Sequence, residues 1–443
     1  MPSGLLSRSE VLLLPLLWVV MASAMLVESD AYRYVTLALV TLAMWRYRDE
    51  VGLVSRDWLA WFCWIWAAWA LLRFVIGVTI HDERGTSEWL YIFPLLFPGL
   101  GVALYMTRRH LFPAATVLIA AGAAGLLASI DWSALNNGER IFPLFHNNPI
   151  HAAIGCGMLL ITSVCWMLYA LETGRYKGGR LAAILATGIF TALLCGVGIL
   201  GAQSKGVWLA LMPVVVFMSI AVLLYYGGRV ALAVLAVLVV ASVGIFSALD
   251  NTSRVAAPTI EAAGELFSGA IENVDPRGAM RRAVEDSDTP QSMRERLMLW
   301  TNALDTVESS PWVGWGNLWQ REWRQGTYSD NNHQLLHNGY LEILVRHGLL
   351  GAMVLAIVLL ASARRIYVAR RDGIISASLM LYLYGLSLFF FITIATNSNN
   401  RLALGESYFL LAGAAVFAIT LAMRHARARG TVISQSCETA SGT

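Results

Sequence analysis

The sequence predicts an all-α polytopic membrane protein with about twelve transmembrane helices and one large polar loop. The first observation is composition: 57% of the 443 residues are hydrophobic and only 14% are charged, and the mean hydropathy is +0.60. The second is a succession of apolar runs of about 20 residues, the length that crosses the hydrocarbon core of a bilayer. The third is one long interruption, residues 250–336. A soluble domain of this size would expose many more charged side chains, so that class is excluded.

Each predicted span is an apolar run bounded by polar or basic residues. The runs are residues 11–27, 32–46, 58–80, 89–107, 111–130, 150–171, 181–202, 206–226, 229–249, 338–361, 374–396 and 405–423. The first run follows a short basic N-terminus and lacks a cleavage site of small residues, which favours a retained signal anchor. Prolines in the runs 89–107 and 111–130 predict kinks there: Pro94, Pro98 and Pro113.

The basic residues of the short loops predict the orientation, because Lys and Arg are enriched on the cytoplasmic side. With a cytoplasmic N-terminus, the cytoplasmic segments hold Arg8, Arg46, Arg48, Arg56, Arg108, Arg109, Arg175, Lys177, Arg180, Arg229, Arg364, Arg365, Arg370, Arg371, Arg424, Arg427 and Arg429. The opposite short loops hold Arg84, Arg140, Lys205 and Arg401. The large loop therefore faces away from the cytoplasm. The chain divides into spans one to nine (1–249), the loop (250–336), spans ten to twelve (337–423) and a cytoplasmic tail (424–443).

The large loop is expected to carry function and to be partly helical. It contains four prolines and is too long to be a simple connector in a compact protein. Within it, residues 292–308 place apolar side chains at helical spacing, which predicts an amphipathic helix lying on the membrane surface. Pro311 and the glycines of Gly314-Trp315-Gly316 predict a turn directly after that helix.

Several polar residues are candidates for chemistry on the outer side. His337 precedes span ten, where an imidazole with an ordinary pKa of about 6.5 can take a proton from a hydroxyl; a histidine that merely caps the helix is the alternative. Arg294 and Arg296 could clamp a phosphate through paired hydrogen bonds, or lie on a solvated helix face. Lys205 and Arg346 run against the charge bias, and a cation at membrane depth is costly and usually functional.

Metal and disulfide chemistry are not expected. The acidic triplets Glu28-Ser29-Asp30 and Asp286-Ser287-Asp288 could bind a divalent ion, but such triplets are common in solvated polar loops. Four of the five cysteines lie in apolar runs and none lies in the large loop, and no spacing typical of zinc ligands is present.

Four motifs in this order resemble the O-antigen ligase family of bacterial membrane glycosyltransferases. The family also includes O-antigen polymerases and some protein O-oligosaccharyltransferases. In the second motif, lysine stands where the family usually has arginine, which keeps the charge and loses bidentate geometry. The motifs extend from residue 140 to residue 351 and are Arg140-Ile-Phe-Pro-Leu-Phe-His146-Asn147-Asn148-Pro149, Ser204-Lys205-Gly206, Arg296-Leu-Met-Leu-Trp300 with Pro311-Trp-Val-Gly314-Trp-Gly316, and His337-Asn338-x-x-Leu341 with Gly348-Leu-Leu-Gly351.

The resemblance implies a glycosyltransferase C-type architecture and a site facing the periplasm in the bacterial inner membrane. It implies transfer of a preassembled glycan from undecaprenyl diphosphate to a sugar hydroxyl of lipid A–core, without nucleotide, nucleic acid, cofactor or metal. His337 would be the general base. The donor diphosphate would be bound by Arg296 and Lys205 first, then by Arg140, Arg346 and Arg294.

Three other functions remain open from the sequence. An O-antigen polymerase would use a second lipid-linked repeat as acceptor, and a protein O-oligosaccharyltransferase would use a protein hydroxyl. The ligase is favoured because the one large loop adjoins His337 directly. A transporter of lipid-linked glycan is the non-enzymatic alternative, but the two halves of the chain do not show the matched repeats common in transporters.

Overall fold

The computed structural model describes residues 8–85, 88–226, 276–329 and 335–441, and the regular elements in these ranges are helices. The helices before the large loop are α1 (Arg8–Ala22), α2 (Ala31–Arg46), α3 (Arg48–Ser55), α4 (Trp58–His81), α5 (Phe97–Met106), α6 (Leu111–Ser129), α7 (Trp132–Asn136), α8 (Pro149–Thr173), α9 (Gly178–Gly201) and α10 (Lys205–Tyr226). Those that follow are α11 (Pro276–Glu285), α12 (Gln291–Ser309), α13 (Trp319–Trp323), α14 (Gly339–Arg371), α15 (Ala377–Thr396) and α16 (Ala403–Ser441).

Eight described helices are long and apolar enough to cross a membrane, which supports a multi-pass membrane protein. They correspond to the predicted spans three, five to eight and ten to twelve. Of the remaining predictions, span one corresponds to a shorter apolar helix, Leu13–Met25, and span two to the 16-residue α2. Span nine, residues 229–249, lies outside the described residues, so a count of exactly twelve is not established.

The two predicted proline kinks have different outcomes. Span four is broken: the segments Glu88–Leu95 and Phe97–Met106 meet at an angle of 59°. Span five is one helix, so the kink predicted there is wrong. Pro113 lies in the first turn of α6, where an α-helix has no hydrogen bond for a backbone N–H to make, so proline does not disturb it.

The centre of the membrane part is α8, which packs against α9 and α15. In the 18-residue apolar window of its span 78% of the residues are buried, against 28% in that of α4 at the periphery. Gly157 of α8 lies against the ring of Phe389 on α15, with no room for a Cβ atom. A second apolar cluster joins α1 and α5 to α16, so the first and the last described helices pack into the same bundle.

The described part of the large loop is folded on its own apolar cluster. The predicted helix 292–308 is confirmed as α12, and Leu299 and Ala303 on it are buried with Trp319, Trp323 and Val345. The apolar side chains of this helix pack against protein, so their spacing does not by itself place the helix on the membrane surface, and that position stays a prediction. Amphipathic spacing is the same in both situations.

The turn after α12 is joined by its backbone to a break in α14. The helix is interrupted at Gly348, whose φ is 58° and ψ −156°. There the N–H of Leu349 donates to the carbonyl of Pro311 at 2.8 Å, and the N–H of Leu350 to that of Trp312 at 2.9 Å. A Cβ on Gly348 would lie 2.5 Å from the Trp312 carbonyl carbon. Non-helical backbone inside a span is stable only where its polar groups are satisfied, and the turn satisfies them here.

Residues predicted to lie on the same side of the membrane contact each other. On the side predicted to be cytoplasmic, Asp57 pairs with Arg365 at 2.6 Å and with Arg424 at 3.5 Å. On the other side, the Nη2 atom of Arg73 donates to the carbonyl of Gly314 in the large loop at 2.8 Å. The contacts between described residues therefore agree with the predicted alternation of loops.

Candidate functional site

His337 is held just before the N-terminal end of α14 in a strained backbone conformation. Its φ is 51°, in the left-handed region that residues other than glycine seldom adopt. Asn338 caps α14 through hydrogen bonds from Tyr340 and Leu341, so the helix does not need His337 as a cap. The alternative of a merely capping histidine therefore loses its support.

Asn397, at the end of α15, fixes the tautomer of His337. The Nδ1 atom of His337 lies 3.1 Å from Oδ1 of Asn397, and the same Oδ1 accepts the backbone N–H of Ser398 at 2.9 Å. A backbone N–H can only donate, so the Asn397 side-chain atom that it contacts is the amide oxygen. This oxygen can only accept from His337, so Nδ1 of His337 carries the proton of their hydrogen bond. The lone pair of the imidazole is then on Nε2, as a general base requires.

A buried carboxylate, Glu342, holds the backbone around this pair. Its Oε1 accepts the N–H of Leu336 at 2.9 Å and the hydroxyl of Ser398 at 3.0 Å. Leu336 precedes His337 and Ser398 follows Asn397, so one side chain positions both partners. Its Oε2 accepts hydrogen bonds from two arginines, Arg346 and Arg401.

Arg346, predicted to bind the donor, is fully buried inside the protein. Its Nε pairs with Glu88 at 2.9 Å, its Nη1 pairs with Glu342, and its guanidinium lies 4.6 Å from the ring of Trp319. Its relative exposure is 0%. Through these contacts Arg346 joins α14 to the broken span four and to the large loop. Its role is therefore to support the structure around the site.

Glu342, Glu88, Arg401 and Asn397 were not singled out from the sequence. Glu342 could have been, because a carboxylate four residues before an arginine on one helix is a standard ion-pair spacing. The partners of Glu342 and Arg346 from other elements are separated from them by up to 258 positions. No local pattern in the sequence connects such residues.

Arg296 faces the His337 region from α12. Trp300, one turn further along, donates its indole N–H to the carbonyl of Leu336 at 2.9 Å, and residues four apart share a helix face. Within the described ranges, the Arg296 guanidinium has no hydrogen bond or ion pair. Burial lowers the pKa of Arg296, but an arginine guanidinium is not deprotonated in proteins, so the group keeps its charge. A half-buried cation of this kind suits an anionic ligand.

Arg294 points elsewhere. Its Nη2 donates to three backbone carbonyls of the preceding turn, those of Asp286 at 2.7 Å and of Ser287 and Thr289 at 3.2 Å. Two residues apart on a helix do not face the same way, so Arg294 and Arg296 do not form a clamp. The structure gives Arg294 a role in the loop.

Lys205 lies at the first turn of α10, close to Arg296. The positive charges of the two side chains are near enough to repel each other. The next residue, Gly206, lies against the Thr396 hydroxyl with no room for a Cβ atom, and Thr396 adjoins Asn397. The Lys205 turn therefore packs beside the residue that holds His337.

Arg140 lies next to the same turn. Its Nε donates to the carbonyl of Ala202 at 2.9 Å, and the N–H of Ile141 donates to that of Gly201 at 2.9 Å. Burial lowers the pKa of Arg140. The side chain supports the segment that leads into Lys205.

The acidic triplet of the first outer loop has other partners. Glu28 contacts Nδ1 of His151 at 2.9 Å, and Asp30 pairs with Arg33 at 3.4 Å. Among the described residues, no group of three or more His, Cys, Asp or Glu side chains is arranged to hold a metal ion.

The structure thus brings together the segments that carry three predicted residues, His337, Lys205 and Arg296, with Arg140 beside the Lys205 turn. A base on Nε2 beside two cations can deprotonate a nucleophile and stabilise an anionic leaving group. Arg346 and Arg294 lie outside this group and serve the surrounding structure.

Residues 190–356 match the family model of the O-antigen ligases. The segment is rather less than half of the chain and includes Lys205, Arg296 and His337, while Arg140 lies outside it. The resemblance predicted from the motifs is confirmed over this segment. A match to this family implies a glycosyl-transferring enzyme of the O-antigen ligase kind. No curated protein matches the chain.

Proposed function

We propose that this protein is an inverting, metal-independent glycosyltransferase, a lipopolysaccharide O-antigen ligase. It would move preassembled O-antigen glycan from undecaprenyl diphosphate to a sugar hydroxyl of lipid A–core at the periplasmic face of the inner membrane. The observation that carries the proposal is the hydrogen bond from His337 to Asn397, in a segment that matches the family model. It leaves the basic nitrogen Nε2 on a histidine beside two cations.

The reaction follows from these groups. Nε2 of His337 takes the proton of the acceptor hydroxyl as its oxygen attacks the anomeric carbon of the donor. The bond from that carbon to the diphosphate oxygen breaks, and the diphosphate leaves with both electrons. Direct displacement inverts the anomeric centre.

Charge builds up on the diphosphate as the bond breaks, and the cations act there. Arg296 can donate paired hydrogen bonds to phosphate oxygens, and Lys205 supplies a point charge. Placed charges of this kind contribute several kcal/mol to the transition state, on the order of 10²–10³ in rate for a single donor. No ATP is required because the donor carries its own leaving group.

The test is glycan transfer by the purified full chain, with lipid-linked glycan as donor. Lipid A–core and a second lipid-linked repeat are supplied as separate acceptors. We expect transfer to lipid A–core, abolished in His337→Ala and preserved in His81→Ala, which removes an exposed histidine at the end of α4.

Normal transfer by His337→Ala at a normal protein level would end the proposal of this base. Extension of the lipid-linked repeat, with no transfer to lipid A–core, would assign the polymerase function instead of the ligase.

A further inference from the structure

Four arginines line a cavity at the end of α14 opposite His337. The cavity has a volume of about 240 Å³ and lies between α4, α14 and α16. Among the described residues that line it, Asp57 is the one carboxylate, beside Arg364, Arg365, Arg424 and Arg427. The proposed glycan transfer takes place at the other end of the helices and makes no use of these residues.

The cavity carries a surplus of positive charge. Asp57 is shared between Arg365 at 2.6 Å and Arg424 at 3.5 Å, and Arg365 also donates to the hydroxyl of Thr420 at 2.5 Å. Arg364 has no hydrogen bond or ion pair with any residue that the structure describes. Among the described lining residues, Arg364, Arg365 and Arg424 set three guanidinium groups against the single carboxylate of Asp57, so positive charge is in excess there. Like charges this close favour an added anion.

The cavity also adjoins the apolar surface of the bundle. Trp58, which lines it, is 56% exposed, and its ring lies 5.7 Å from the guanidinium carbon of Arg365. Leu360, next to the lining residue Ala361, is 71% exposed. Tryptophan is enriched where membrane protein surfaces pass from lipid to water. The basic groups and the apolar surface therefore meet at one border.

We propose that this cavity binds the phosphate headgroup of an anionic phospholipid of the cytoplasmic leaflet. Arginine pairs with phosphate oxygens through two parallel hydrogen bonds, and basic pockets between transmembrane helices bind anionic headgroups. The volume is below the roughly 300–1,000 Å³ of pockets that enclose a whole drug-sized ligand. A headgroup fits, while the acyl chains lie along the exposed side chains of α4 and α14.

The experiment measures lipid binding to the full-length protein in uncharged detergent by native mass spectrometry. Phosphatidylglycerol is titrated against phosphatidylcholine with the same acyl chains, and inorganic phosphate is added as competitor. Arg364→Gln is the test variant. Arg371→Gln is the matched control, because it removes the same charge from the same helix at an exposed residue outside the cavity.

We expect phosphatidylglycerol to bind more tightly than phosphatidylcholine. Arg364→Gln should lower the affinity for phosphatidylglycerol about fivefold, because one basic residue near an anionic membrane surface contributes ~1 kcal/mol. Arg371→Gln should leave the affinity unchanged, and Arg364→Lys should retain the preference. Unchanged thermal unfolding without lipid verifies that each variant is folded. Equal weakening by both glutamine variants, no preference between the two lipids, or displacement of phosphatidylglycerol by equimolar phosphate would each overturn the proposal.

Discussion

Substitution of Glu342 by glutamine tests whether the buried ion cluster positions the site. Glu342, Arg346 and Arg401 have relative exposures of 0%, 0% and 4%. With Glu88 they form two carboxylates and two guanidinium groups of zero net charge. Glutamine has the same size as glutamate, but the substitution removes the negative charge that Arg346 and Arg401 share. Breaking a buried pair in this way costs about 3–5 kcal/mol.

The measurement is the unfolding free energy in mixed micelles with increasing SDS, followed by tryptophan fluorescence. We expect Glu342→Gln to lose about 3–5 kcal/mol and also to lower glycan transfer, since Glu342 holds Leu336 and Ser398. Adding Arg401→Gln restores neutrality, so the double variant should lose less than the sum of the single variants, by about 1 kcal/mol or more.

Glu285→Gln is the control, because Glu285 is an exposed carboxylate at the end of α11 and its replacement should change stability by less than about 0.5 kcal/mol. A loss below about 1 kcal/mol for Glu342→Gln, or strict additivity in the double variant, would refute the electrostatic reasoning.

Three further outcomes are expected. Asn397→Ala should lower kcat about fivefold or more with little change in KM, because it removes one hydrogen bond of about 1 kcal/mol. Asn397→Asp keeps an oxygen that accepts from Nδ1, so this variant should keep the tautomer and most of the rate. An unchanged kcat in Asn397→Ala would show that Asn397 does not hold the imidazole. Gly348→Ala should destabilise the protein more than Gly373→Ala. Both glycines have a positive φ, but of the two only Gly348 faces a backbone atom at 2.5 Å. Equal unfolding free energies of the two variants would contradict the close contact between Gly348 and the turn after α12. EDTA should leave transfer intact, and a loss restored by a divalent ion would return Glu28 and Asp30 as metal ligands.

Hydrophobic length predicted most of the membrane part from the sequence. The long apolar runs became helices because a bilayer-sized apolar segment has few other ways to satisfy its backbone. Proline positions were less informative. Pro113 lies in a first helical turn and does not kink α6, a distinction that depends on a helix start the sequence locates only within a few residues.

The structure brings only some of the predicted site residues near one another, and the others lie apart for physical reasons. Arg346 was chosen because a charge at membrane depth is costly, yet that cost is met by Glu88 and Glu342 inside the protein. Arg294 was grouped with Arg296 by proximity in sequence, although their side chains leave the helix in different directions. Asn397 was missed because its contact with His337 exists only after α14 and α15 pack together.

The joint between the large loop and α14 has a consequence for which residues can vary. Its hydrogen bonds run from one main chain to the other and do not depend on side-chain identity. Trp312 in the turn is 66% exposed and can be exchanged without breaking them, whereas Gly314 and Gly348 face backbone atoms at 2.5 Å. Natural variants should therefore differ freely at Trp312 and hardly at Gly314 and Gly348. The positions that do not tolerate mutation would then be those where the two main chains touch.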